Sequence, residues 1–132
     1  MPRRFILAVW AVLWLTSAAA AADCPTLDMK EIETLLAAAP TCDQSMTLFR
    51  TCSMGSSGDV SLGAVVQEKC EAAFLPRLGR AERRTYEGKL RACDRKYAKQ
   101  SGTMYCSFEA FCRAGVAQTT AKQAAKRGPD RR

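Results

Sequence analysis

The stretch from Arg80 to Cys112 reads RAERRTYEGKLRACDRKYAKQSGTMYCSFEAFC, and its spacing decides the fold class. Tyr86, Leu90, Cys93 and Tyr97 recur at i, i+4, i+7 and i+11, while arginine and lysine fill most of the other positions. One apolar stripe in a cationic remainder is the pattern of an amphipathic helix, predicted over residues 80–100. Gly102 ends it, because glycine accepts the left-handed conformation that closes a helix. Thr103 is placed to cap a fifth helix whose inward residues are expected to be Phe108, Phe111, Cys112 and Gly115.

Upstream, nothing alternates with the period of a strand, and helical spacing recurs. Asp28 with Glu31 three residues later makes a capping-box-like start. Ile32, Leu35, Leu36 and Ala39 share one side of that first helix, and Pro40 stops it. A second helix carries Cys42, Met46, Phe49 and Cys52 and ends in the turn from Gly55 to Gly58. Asp59 or Ser61 is expected to cap a third, with the stripe Leu62, Val66, Cys70 and Ala73, closing before Pro76. The fold class is therefore all-α: a small disulfide-stapled bundle of four to five helices in consecutive antiparallel hairpins.

The pairing of the sulfurs follows from that topology. Seven cysteines with one left over allow 105 pairings. In an antiparallel hairpin, residues equidistant from the turn lie side by side. The midpoint of Cys42 and Cys70 is residue 56, inside the Gly55–Gly58 turn. That of Cys93 and Cys112 falls beside Gly102, and that of Cys24 and Cys52 is residue 38, close to Pro40. These three bridges are predicted, and Cys106 is left as the unpaired thiol, on a face with Glu109 and Arg113.

A chain stapled in this way belongs in an oxidising compartment, and its beginning agrees. Arg3 and Arg4 precede the apolar run Phe5–Leu15 and the small-residue tract Ala18–Ala22, the build of a secretory signal over residues 1–22 that is cut before Asp23. The apolar run is shorter than the roughly 20 residues of a membrane span, so no stable span is expected after cleavage. The twin arginines leave the export route open between the general and the twin-arginine pathways. Residues 23–121 are expected to form the helical domain, and residues 122–132 a basic, disordered tail. Location in the periplasm or outside the cell follows.

Charge divides the chain in two. From Asp23 to Pro76 there are three basic and eight acidic residues, a net −5. From Arg77 to Arg132 there are fifteen basic and five acidic residues, a net +10. Nine of those cations (Arg77, Arg80, Arg83, Arg84, Lys89, Arg91, Arg95, Lys96 and Lys99) cluster on the fourth helix and its approach. They form a candidate patch for an anionic partner such as lipopolysaccharide or acidic glycan. No nucleic-acid reading motif accompanies them, and export leads away from nucleic acid, so that partner is not expected. Adsorption to a lipid surface is physically reasonable, although the helix commits its apolar face, with Cys93, to the core.

The chain contains no histidine, which removes Ser-His-Asp and Cys-His catalysis and haem attachment. There is no Cys-x-x-Cys pair, no clustered zinc ligands and no glycine-rich phosphate loop. Glu82, Glu87 and Glu109 sit among arginines, where ion pairing is their expected role. No catalytic residue, metal or cofactor is expected.

Asp23-Cys24 near the start, then Tyr86, Leu90, Arg91 and Cys93, then the turn Gly102-Thr103-Met104-Tyr105 and finally Cys112 form a series. In this series the chain resembles the lysozyme-inhibitor LprI-like family of small exported bacterial proteins. It departs from that pattern in having no tryptophan in the fourth helix. The resemblance implies a helical envelope protein that binds and inhibits a lysozyme, and it carries over no inhibitory residue. Two readings therefore stand: an exported, non-enzymatic binding protein of lysozyme-inhibitor type, and an envelope-associated protein that holds anionic glycan or lipid on its basic helix.

Overall fold

The computed structural model describes residues 23–128; the expected signal at 1–22 and the end of the chain, 129–132, lie outside the described residues. Five α-helices and one 3-10 turn make up the domain: α1 Met29–Ala38, α2 Cys42–Cys52, α3 Asp59–Glu71, the 3-10 turn Leu75–Arg77, α4 Arg80–Tyr97 and α5 Thr103–Arg127. The fold is all-α, as the periodicity requires.

Local chemistry sets most of the ends. The Asp28 carboxylate accepts from the Glu31 amide at 2.8 Å and caps α1. Thr41 does the same for α2 through the Gln44 amide, at 3.2 Å. Gly102, at φ +109°, turns the chain between α4 and α5. Two expected caps are not caps. Residue Thr103 is the first helical residue of α5 and leaves the N-cap position to Gly102. Asp59 begins α3 but points inward, fully buried, and accepts from the Met54 and Gly55 amides, each at 2.9 Å. The Ser107 hydroxyl of α5 donates to the same carboxylate at 2.6 Å. Three donors compensate for burying the charge, and in return Asp59 locks the α2–α3 turn against α5.

Three disulfides join neighbours in the hairpins: Cys24–Cys52, Cys42–Cys70 and Cys93–Cys112, with Cα atoms 4.9, 4.7 and 5.7 Å apart. They are the pairs that the midpoint rule brings together. Each closes a loop of 19 to 28 residues and contributes about 2–4 kcal/mol. Helix α3 sits centrally, against α1, α2 and α5, while α4 packs on α5. Ile32, Leu36, Phe49, Leu62, Val66 and Phe74 are wholly buried between them.

Helix α5 meets its neighbours through small residues. Ser107, Ala110, Ala114 and Ala117 face α3, so the inward face is rotated from the one expected. Phe108 is 42% exposed, and Gly115 looks into open space. Phe111 is half-buried, and its ring stacks on Phe49 at 4.1 Å between centroids. Ala73 is exposed as well; the turn at Leu75–Arg77 brings Phe74 inward in its place. Over residues 122–127 the expected disorder is corrected: helix α5 continues through Arg127, with Ala121 and Ala124 packed against the core and Lys122 and Arg127 paired with Asp43 and Glu82 at 3.1 and 2.9 Å.

At Gly63 the helices touch most closely. A methyl group added there would lie 2.8 Å from the Ala110 Cβ and 3.2 Å from its carbonyl oxygen. Neither atom is the end of a flexible side chain, so the helices themselves would have to part. Gly63→Val is expected to lower the unfolding free energy by at least about 2 kcal/mol. Gly115→Ala, in open space within the same packing unit, should raise it by about 0.5–1 kcal/mol. Urea titration of both variants with bridges intact checks this; equal stabilities would contradict the close approach.

Candidate functional site

Helical periodicity separates the cations of α4 from its core face. Tyr86, Leu90 and Cys93 point inward, which leaves Arg80, Arg84, Arg91, Arg95 and Lys99 along the outer side, all exposed. Lys89 and Lys96 lie on one flank, Lys96 with its ammonium 5.1 Å from the Tyr97 ring centre. Of the nine clustered cations, two are used structurally. Arg77 donates to the Ala73 carbonyl, and the half-buried Arg83 donates to the Leu75 carbonyl at 2.9 Å. Both tie down the turn between α3 and α4.

The remaining seven carry little internal compensation. Arg91 approaches Glu87 at 3.9 Å, with both side chains about half exposed, and such a pair is worth well under 1 kcal/mol. Among the described residues, Arg80, Arg84, Lys89, Arg95, Lys96 and Lys99 make no ion pair. A row of uncompensated cations on a rigid helix concentrates positive potential along its outer side.

The structure adds a second feature that sequence reasoning missed. A groove of about 440 Å³ runs between α3 and α5, edged by α4. Glu68, Glu71, Asp94 and Glu109 bring carboxylates to it, and Arg113 and the unpaired Cys106 line it as well. Much of this polarity is satisfied internally. Arg113 pairs with Asp94 and donates from Nε to Gln67 at 3.2 Å. Glu71 accepts from the Gln67 amide at 2.7 Å and from the Tyr86 hydroxyl at 2.6 Å. Cys106 shares this face with Glu109 and Arg113 and is half-buried. No sequence signal announces the groove, because its partners come from helices some 40 residues apart and meet only through α3–α5 packing.

The glutamates of α4 have mundane partners. Glu82 accepts from the Gly79 amide at 3.1 Å and pairs with Arg127; Glu87 meets Arg91. Glu109 makes no ion pair among the described residues, contrary to its expected role. A buried amide, Gln118, bridges Arg50 and Asp43 by accepting from the first at 3.4 Å and donating to the second. Together with Lys122 it holds the Asp43 carboxyl below the usual carboxylate range. Among the described residues no cysteine and carboxylate set gathers as metal ligands, and no helix is long and apolar enough to cross a membrane. Three disulfides fit an extracellular or otherwise oxidising compartment.

No family model, curated protein or solved structure matches this chain.

Tyr86 supplies a titratable probe of the groove wall. Burial, and then its hydrogen bond to the Glu71 carboxylate, push the phenol far above the ordinary tyrosine value. The folded state therefore keeps a proton that the unfolded chain releases near pH 10. Stability from this group is complete below that pH and declines as pH rises above it. Denaturant midpoints should fall as pH rises above about 10, the free phenol value, and Tyr86→Phe should flatten that fall. An unchanged slope in the variant would contradict the assignment.

Proposed function

We propose that this chain is an exported, non-enzymatic binding protein that holds an anionic envelope component, glycan or lipid, on the outer side of α4. One observation carries the reading: Arg80, Arg84, Arg91, Arg95 and Lys99 form an exposed row in which, among the described residues, only Arg91 pairs with a carboxylate. A cationic row left uncompensated destabilises a fold through self-repulsion and is relieved by a polyanion. Export to the periplasm or cell exterior is supported by the signal-like leader together with the three bridges. The non-enzymatic part rests on the missing histidine and on carboxylates, Glu71, Glu82 and Asp94, that are already engaged.

A second reading is favoured by a different observation. The α3–α5 groove gathers Glu68, Glu71, Asp94 and Glu109 on a chain whose net charge is +7. Lysozymes are commonly basic outside their acidic cleft. An acid-edged groove beside a cationic helix offers complementary charge to both surfaces, in line with the lysozyme-inhibitor resemblance.

Two measurements separate these. Binding to a dextran sulfate matrix should require markedly more salt to reverse in the native protein than in the Arg84→Glu, Arg91→Glu, Arg95→Glu triple variant, because exposed charge pairs are screened once the Debye length drops to about 3 Å near 1 M salt. Identical elution would sink the anion reading. Clearing of cell-wall suspensions by lysozyme should slow in stoichiometric excess of the oxidised protein if the groove engages the enzyme. Unslowed clearing removes the inhibitor reading and leaves the first untouched.

A further inference from the structure

The large exposed hydrophobics of the described residues all lie at one pole of the bundle. They are Leu27, Met54, Val60, Met104 and Phe108. The Asp59–Ser107 bond sets the α2–α3 turn beside the first turn of α5, and Met29 lies within 3.4 Å of where a Gly58 methyl would be. Helices α1, α3 and α5 thus start at this pole, and α4 ends there.

On the α4–α5 side the apolar groups form a cluster. The Phe108 ring lies 6.2 Å from Tyr97 and 5.8 Å from Tyr105, the latter edge-on. Met104, one helical turn before Phe108, is 49% exposed. Phenols with a wet edge and an apolar body suit the boundary between water and hydrocarbon. Around them stand three cations, Arg95, Lys96 and Lys99; the flanking carboxylates are Asp94, paired with Arg113, and Glu109, which lines the α3–α5 groove. Across the pole the charge reverses: Leu27 stands next to Asp28 and near Glu31.

We propose that the α4–α5 side of this pole docks on an anionic lipid bilayer. Phe108 and Met104 reach the acyl boundary, Tyr97 and Tyr105 lie at headgroup depth, and Lys96 and Lys99 meet phosphates. This inference rests on the anion-binding reading and narrows its partner to lipid. Charge complementarity decides the occupant: Arg95, Lys96 and Lys99 stand around the apolar centre on this side of the pole. The core face of α4 is not needed for such docking; the exposed tip supplies the apolar contact instead.

Cosedimentation of the exported, oxidised protein with vesicles tests this, comparing phosphatidylglycerol mixed with phosphatidylcholine against phosphatidylcholine alone. Binding to the anionic vesicles alone is expected. Lys96→Gln with Lys99→Gln should weaken it about fivefold for each lysine. Met104→Ser with Phe108→Ser should weaken it at least about tenfold while leaving retention on dextran sulfate intact. Vesicle binding that survives the serine pair overturns the proposal, as does vesicle binding absent from the native protein that still holds dextran sulfate. Loss of dextran sulfate retention in the native protein is instead the failure of the underlying anion reading. A native dimer that the serine pair makes monomeric in sedimentation would reassign the pole to self-association and overturn it. Phe108→Trp gives a reading that does not depend on loss of binding. Both native tryptophans, Trp10 and Trp14, precede Asp23, so the introduced indole reports alone in the cleaved chain. A blue shift on anionic vesicles is expected, and no shift counts against docking.

Discussion

No covalent link joins the first three helices to the last two beyond the chain itself. Cys24–Cys52 and Cys42–Cys70 tie α1, α2 and α3 into one unit, and Cys93–Cys112 ties α4 to α5. What makes the two units one domain is noncovalent contact, most of it in the seam between α3 and α5, with α2 adding Phe49 on Phe111 and Asp43 on Gln118 and Lys122. In the seam Gly63 admits Ala110, and Asp59 accepts from Ser107. Tyr86 donates across to Glu71, and Phe74 meets the Tyr86 ring edge-on at 5.0 Å. Bridges lower the entropy of the unfolded chain within each unit; the noncovalent contacts between the units set how they sit. The acid-edged groove, the basic row and the apolar pole all take their relative positions from these contacts.

Small residues explain how such a seam holds. Alanine, glycine and serine lose little side-chain entropy on burial and let helix backbones approach closely, which increases dispersion contacts per unit length. The cost is sensitivity to volume, because no long side chain is present to move aside. The buried Asp59 charge adds specificity of register: displaced along α3, it would lose Ser107 and keep only the turn amides of Met54 and Gly55. Stability within the units and geometry between them are therefore controlled by different interactions.

The surface follows the same division. Helix α4 contacts the rest chiefly through α5, so most of its circumference is open to solvent and can carry cations that a central helix could not. Charge and apolar exposure end up spatially ordered. The outer row of α4 is cationic, the α3–α5 groove is acidic, and the pole at the α4–α5 turn combines aromatic rings with lysine.

The all-α class, the helix order and the stripe of α4 were legible because each depends on residues within a few turns of one another. The sulfur pairs were legible for the same reason: a hairpin with a short turn makes position a matter of counting from its midpoint. The inward face of α5 was not. Phe108 and Phe111 outrank Ala110 and Ala114 on any hydropathy pattern, yet only small residues fit where α3 comes close, so Phe108 was turned out to solvent. Nor could local pattern show that Ala121 and Ala124 would pack against the core while Lys122 and Arg127 meet Asp43 and Glu82. Local spacing settled which elements form and which neighbours are stapled. Packing of α3 on α5, a contact between residues more than 40 positions apart, decided which faces are buried and so which surfaces remain exposed.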